Sequence, residues 1–174
     1  GRFGYDFRET NIIDFLTGIL TNAQVLAKKY EVKLYFDRGN ESAINATIDK
    51  ERLGLALSNL IDNAIKYNVK NGTVTVKVER LPGKPYLQIS IKDTGVGIPA
   101  DEMNKLFTKF FRAENAMKLE TEGSGLGLYI AKNIINRHGG AVWAESVVNR
   151  GTIVYFTLPL DPSLIPSTES PLGL

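Results

Sequence analysis

The sequence predicts an α+β fold, a two-layer α/β sandwich in which helices pack on one face of a mixed, mainly antiparallel sheet. Helical and strand-like periods alternate along the 174 residues. At least two pairs of predicted strands are joined by short loops, as in hairpins. Hydrophobic residues make up 43% and charged residues 23% of the chain, which is typical of one globular domain with one core.

The composition excludes several classes of protein. The chain has no cysteine, so disulfides and thiolate metal sites are excluded. A net charge of +2 argues against a dedicated nucleic-acid binder. No apolar stretch approaches the roughly 20 residues that span a bilayer, and no signal peptide is visible. A first residue Gly1 in place of Met predicts a piece processed from a longer protein.

Three long helices are predicted from apolar residues at helical spacing. The first begins at Thr10 or Asn11, either of which could cap it, and the second opens at Asp49. The third runs from near Ser124 to His138, where two glycines stop it. A short helix is expected over 101–110, and 111–124 has no sustained period and is expected to be mobile.

Strands are predicted from alternating or β-branched runs at 32–36 and 43–48 around a polar turn, at 73–79 and 86–93, and at 141–147 and 152–160. The expected domain covers 7–160. Residues 1–6 are assigned to a linker remnant and 161–174 to a flexible tail.

Polar side chains line one flank of the second helix. Asn59, Asn63 and Lys66 fall within about a 60° sector that borders the apolar face. Amide oxygens suit Mg²⁺, and a lysine can meet phosphate as a point charge. The alternative is an ordinary solvated flank, because Asn and Lys are common on surfaces.

Two glycine-rich stretches follow. In "DTGVGIP" (93–99), Gly95 and Gly97 let the backbone pass close to a flat ligand, and Asp93 could accept from the amine of a base. The alternative is a tight turn with Asp93 bonded to its own backbone. In "GSGLGL" (123–128) the glycines precede a helix, whose N-terminus attracts anions, but no lysine follows as in a P-loop.

These stretches together resemble the ATP-binding domain of sensor histidine kinases, within the GHKL (Bergerat-fold) ATPases. "NLIDNAIKYN" (59–68) resembles the N box, "DTGVGIP" the G1 box, "LFTKFFR" (106–112) the F box and "GSGLGL" the G2 box. The four boxes occur in the family's order, and the resemblance runs from about Phe7 to Pro159.

The resemblance implies roles for individual residues. Asn63 would coordinate Mg²⁺, with Asn59 beside it, and Asn59, Asn63, Lys66 and Arg112 would form the catalytic set. Residues 113–122 would form a lid over the nucleotide. The implied contacts to ATP come from Asn63, Lys66, Tyr67, Asp93, Gly95, Gly97, Ile98, Phe107, Ser124, Gly125, Leu126, Gly127 and Leu128.

The resemblance also implies a reaction and partners. ATP-hydrolysing relatives carry a Glu where this chain has Asn59, so transfer is favoured over hydrolysis. A regulatory serine kinase or nucleotide-binding module and an ATP-hydrolysing protein remain alternatives. His138 lacks an acceptor box and is expected to be structural.

The expected partners are a separate dimerisation and histidine-phosphotransfer domain and a response regulator receiver domain, with no nucleic acid and no membrane contact by this fragment. The expected location is the cytoplasm, in a parent protein of a kind that can be anchored in the inner membrane.

Overall fold

The computed structural model describes residues 4–119 and 125–167. A five-stranded sheet has the order β2-β4-β5-β7-β6, in which only β2 and β4 run parallel. Its strands are β2 (Lys33–Asp37), β4 (Thr73–Arg80), β5 (Tyr86–Asp93), β6 (Val142–Val147) and β7 (Gly151–Pro159). A separate two-stranded sheet pairs β1 (Arg8–Asn11) with β3 (Asn45–Ile48) in antiparallel fashion.

Helices cover one face of the larger sheet, as predicted. They are α1 (Ile12–Lys29), α2 (Lys50–Lys66) and α4 (Gly127–Arg137). A short helix, α3 (Glu114–Leu119), precedes α4 in the chain. The apolar stripe of α2 packs on β4 and β5, and its side chains share one hydrophobic core with the buried residues of β4, β5 and β7. The predicted α+β sandwich is therefore confirmed.

Capping side chains set the first residues of α1 and α2. Asn11 accepts from the N–H of Ile13, and Asp49 accepts from the N–H of Arg52. Each cap satisfies an N–H group that has no partner within its helix. The predicted starts are confirmed, with Asn11 rather than Thr10 as the cap of α1.

Several sequence-based elements need correction. The strands at 32–36 and 43–48 do not pair with each other, because β2 joins β4 while β3 joins β1. The short helix at 101–110 is a 3₁₀ helix limited to Ala100–Lys105. The segment 111–124 contains helix α3, which the sequence did not predict, and its residues 120–124 lie outside the described part.

The N-terminal residues contact the ends of two helices. Tyr5 and Phe7 stack with ring centroids 5.5 Å apart, and both rings meet His138 edge-on. The N–H of Asp6 donates to the Asp49 carboxylate at 2.9 Å. Residues 4–6, expected to be a linker remnant, thus contact the domain, and the boundary at residue 7 stays a prediction.

His138 is fully buried at the C-terminal end of α4. The N–H of Asp49 donates to its Nε2 at 3.0 Å, so Nδ1 carries the proton and donates to the carbonyl of Ile134 at 2.8 Å. Burial holds the pKa of His138 below its usual range, so the ring is neutral. The structural role expected of His138 is confirmed.

We expect His138→Ala to lower the free energy of unfolding by about 2–4 kcal/mol, because it leaves a cavity and removes the acceptor of the Asp49 N–H. Denaturant titration measures the change. Lys132→Ala, on the exposed side of α4, serves as the control and should change little. A loss below about 1 kcal/mol would contradict the role assigned to this ring.

Candidate functional site

A cleft opens between α2, the end of β5, the start of α4 and β7. It is lined by apolar and glycine residues together with a small number of polar side chains. The residues are Leu60, Asn63, Ala64, Lys66, Tyr67, Ile91, Asp93, Val96, Gly97, Ile98, Leu106, Phe111, Arg112, Ala113, Ala116, Gly125, Gly127, Leu128, Thr152 and Val154. An apolar cleft with few polar groups is the usual form of a small-molecule site.

Asp93 is the carboxylate of this cleft and is the last residue of β5. Its Oδ1 accepts from the N–H of Gly95 at 2.8 Å and from the N–H of Thr152 at 3.2 Å. Burial raises the pKa of Asp93 to about 6, although the two backbone donors act in the opposite direction. At neutral pH the group is therefore an anion, and Oδ2 can accept from a ligand.

The loop after Asp93 is held close to its neighbours. Gly97 has a φ of +72°, and a Cβ there would collide with the carbonyl of Val147. Gly95 has no positive φ and is required for a different reason, because a Cβ there would collide with the carbonyl of Tyr67. That same carbonyl accepts from the N–H of Val96 at 3.0 Å. The loop is thus fixed against the end of α2.

The second glycine stretch enters the cleft at the start of α4. Gly125 has a φ of +71°, and a Cβ there would lie 2.6 Å from the carbonyl carbon of Phe110. The N–H of Phe110 donates to the carbonyl of Gly125 at 3.0 Å. Leu126 precedes the helix and carries no side chain that could cap it. A helix N-terminus facing a cleft favours a bound anion.

Two cations and one amide lie in the same cleft. Lys66 is the last residue of α2, Asn63 lies one turn before it, and Arg112 approaches from the segment before α3. Together with the start of α4, they make this part of the cleft suitable for phosphate groups. The cleft therefore combines a carboxylate acceptor for a base with positive groups for phosphates.

Comparison with known proteins identifies the fold family. The model of the family "Histidine kinase-, DNA gyrase B-, and HSP90-like ATPase" matches residues 48–162. The chain belongs to this family. The match includes Asn63, Asp93 and both glycine stretches, so the resemblance inferred from the four boxes is confirmed.

Individual relatives of this ATPase family are sensor kinases. The sensor histidine kinase WalK of Bacillus subtilis (strain 168) is 41% identical over 112 residues, which are 64% of this chain and 18% of WalK. The catalytic domain of histidine kinase ThkA has a TM-score of 0.78 at 27% identity, covering 91% of this chain and 99% of that one. A structure of ThkA with the response regulator TrrA has a TM-score of 0.72 at 25% identity, covering 91% of this chain and 43% of that one.

The structure brings most of the predicted site residues of this ATPase domain to one cleft. Four of them are not in the lining. They are Gly95, whose N–H donates to Asp93, together with Phe107, Leu126 and Asn59. Ser124 lies outside the described residues. The predicted residues that line the cleft are Asn63, Lys66, Tyr67, Asp93, Gly97, Ile98, Arg112, Gly125, Gly127 and Leu128.

Asn59 contacts the helix opposite rather than the cleft. Its Nδ2 donates to the carbonyl of Gly127 at 3.4 Å, and Gly127 begins α4. This contact links the two helices that flank the cleft. An amide at this position cannot take a proton from water as a carboxylate would.

Sequence reasoning missed several lining residues. Thr152 is buried in β7 beside Asp93, and its hydroxyl is the polar group that the motifs did not indicate. Leu60, Ile91, Leu106 and Val154 supply apolar walls. The helical spacing of α2 predicted that Leu60 faces the core, but it gave no signal that part of the core is open to a ligand.

The residues present fit a magnesium ion held chiefly by a nucleotide. Among residues 4–119 and 125–167, no three His, Cys, Asp or Glu side chains form a cluster able to hold a metal. The amide oxygen of Asn63 is a hard donor in the cleft. Mg²⁺ commonly keeps several waters and takes the rest of its ligands from phosphates and one or two side chains.

No helix in the described ranges is both long and apolar enough to cross a membrane.

Proposed function

We propose that the chain is the ATP-binding catalytic domain of a two-component sensor histidine kinase. In this proposal it presents Mg-ATP for transfer of the γ-phosphoryl group to a histidine on a separate dimerisation domain. The observation that carries it is the meeting of Asp93 with Asn63, Lys66 and the start of α4 in one cleft. The matches to sensor kinases support the same conclusion.

Each end of the nucleotide has a matching group in this proposal. The Oδ2 of Asp93 accepts from the adenine amine, and Gly97 leaves room for the ring. Asn63 would hold Mg²⁺, and the ion bound with the triphosphate would supply charge neutralisation. Lys66, Arg112 and the first N–H groups of α4 bind phosphate oxygens. Catalysis is then positioning of the γ-phosphate together with charge neutralisation.

Transfer is favoured over hydrolysis. Asn59 is not a base and is bonded to α4, so no carboxylate at that position activates water. His138 cannot be the acceptor, because it is fully buried and both of its ring nitrogens are hydrogen-bonded. The acceptor in this proposal is therefore outside the chain.

The partners follow from the same proposal. A dimerisation domain supplies the histidine, and a response regulator receives the phosphoryl group from it. The complex between ThkA and a response regulator supports the second partner. The domain would act in the cytoplasm, and neither nucleic acid nor membrane would contact this fragment.

We expect that the chain does not phosphorylate itself but phosphorylates the dimerisation domain of its parent kinase. Radiolabelled ATP and Mg²⁺ would be incubated with the chain alone and then with that domain. Label should appear only on the added domain, and a version of it with its acceptor histidine replaced is the control. Label on His138, or no transfer to the intact domain, would refute the proposal.

A further inference from the structure

Ser146 lies on β6 outside the cleft, opposite Thr152 on β7. Its hydroxyl makes three contacts. The N–H of Ile98 donates to Oγ at 2.8 Å, the carbonyl of Gly151 lies 3.0 Å away, and the Oγ1 of Thr152 lies 2.7 Å away. One side chain thus joins the loop after Asp93 to the hairpin behind it.

The chemistry of the three partners fixes the direction of each hydrogen bond. A serine hydroxyl has one hydrogen and two acceptor positions. The Ile98 N–H can only donate and the Gly151 carbonyl can only accept, so the serine hydrogen goes to Gly151. Thr152 must then donate its own hydroxyl hydrogen to Ser146. All the hydrogen-bonding capacity of Ser146 is used.

This arrangement makes the Thr152 hydroxyl a hydrogen-bond acceptor towards the cleft. Its hydrogen is already used, so Oγ1 can only accept from a ligand. The neighbouring Asp93 carboxylate also accepts hydrogen bonds: the N–H groups of Thr152 and Gly95 donate to its Oδ1, which leaves Oδ2 for a ligand. The base end of the cleft therefore presents acceptors to a ligand that brings an amine. A ligand with a carbonyl oxygen at the same place would face the acceptor oxygens of Asp93 and Thr152 and would find no donor.

We infer that Ser146 is a positioning residue for base recognition, which holds Ile98 against the hairpin and makes Thr152 an acceptor. It thereby favours a 6-amino purine nucleotide over a 6-oxo purine nucleotide. This inference rests on the proposed nucleotide function. A second contact also holds the loop after Asp93 against the hairpin, because the N–H of Asn149 in that hairpin donates to the carbonyl of Val96 at 2.8 Å.

The test compares the dissociation constants of ADP and IDP, which differ in the amine or oxygen at position 6. Calorimetry is performed on the wild-type chain and on Ser146→Ala. Without the serine, Thr152 is released to donate towards the oxo group, so the preference for ADP over IDP should fall by about 5-fold or more. Ser146→Thr keeps a hydroxyl and should restore the preference. Ser90→Ala, on the outer face of β5, should leave it unchanged.

A merely structural role for Ser146 would not produce coupling to Thr152. Thr152→Val should lower the same preference, and adding Ser146→Ala to it should change the ratio little further. If Ser146→Ala does not fold, Ser146→Cys keeps the volume and tests the same loss. Failure of the wild-type chain to bind ADP overturns the proposed function as well. An unchanged ADP/IDP ratio in a folded variant, or fully additive effects, overturns the role of Ser146 alone.

Discussion

Replacing Asp93 by asparagine should weaken the binding of ADP by about 10- to 100-fold. The two backbone N–H groups of Gly95 and Thr152 keep the amide oxygen at the Oδ1 position. The amide NH₂ then occupies the Oδ2 position and faces the adenine amine, so two donors meet. Calorimetry with ADP and Mg²⁺ measures the loss, and Asp101→Asn on the exposed 3₁₀ helix is the matched control.

The affinity of the wild-type chain for ADP should also depend on pH. Burial raises the pKa of Asp93 to about 6, so the carboxylate takes up a proton as the pH falls through this value. A protonated Oδ2 is a donor, and ADP affinity should fall. The Asp93→Asn protein should lack this decline, whereas titration of the ADP phosphates is common to both proteins. Parallel pH profiles for the two proteins would refute the assignment.

The contribution of Asp93 to the stability of the nucleotide-free protein should depend on pH in the opposite direction to ADP affinity: it falls as the pH rises. The pKa of Asp93 is raised in the folded state from the ordinary 3.8, so the folded state binds the proton more tightly than the unfolded state. This group therefore lowers stability as the pH rises from about 4 to about 6. Asparagine carries no charge and removes that cost at pH 7. If the melting temperature of the Asp93→Asn protein does not fall at pH 7, its weaker binding of ADP is not caused by loss of folding.

Replacing Asn63 by alanine should reduce phosphoryl transfer to the dimerisation domain by about 100-fold or more, because the triphosphate loses its alignment. Binding of ADP without Mg²⁺ should change much less, since the base contacts at Asp93 remain. The gain in affinity that Mg²⁺ gives the wild-type chain should largely disappear. Radiolabel transfer and calorimetry with and without Mg²⁺ measure these effects.

The control for Asn63 is Asn133→Ala, because Asn133 is an exposed asparagine on α4. It should transfer label at the wild-type rate. Undiminished transfer by Asn63→Ala would refute the role of this amide. Equal loss of binding with and without Mg²⁺ would show that Asn63 supports the cleft rather than the metal.

Much of the site could be predicted because its signals are local. Asp93 ends a strand and is followed by Gly95 and Gly97, so this part of the site could be predicted from the segment 93–99 alone. Asn63 and Lys66 share one flank of a helix by periodicity alone. Asn59 lies on the same flank, yet it bonds to Gly127 on α4, a partner 68 positions away. Helical spacing does not indicate which polar residues of a flank meet another helix.

The amino-acid sequence by itself determined the main helices and strands, the cap at Asp49 and the two glycine stretches. These depend on contacts within a few residues, so the chain carries them locally. Only the tertiary structure decided that β2 pairs with β4 rather than with β3, and that Ser146 reaches Ile98. Both depend on hydrogen bonds between segments distant in sequence, whose partners are chosen when the whole core packs.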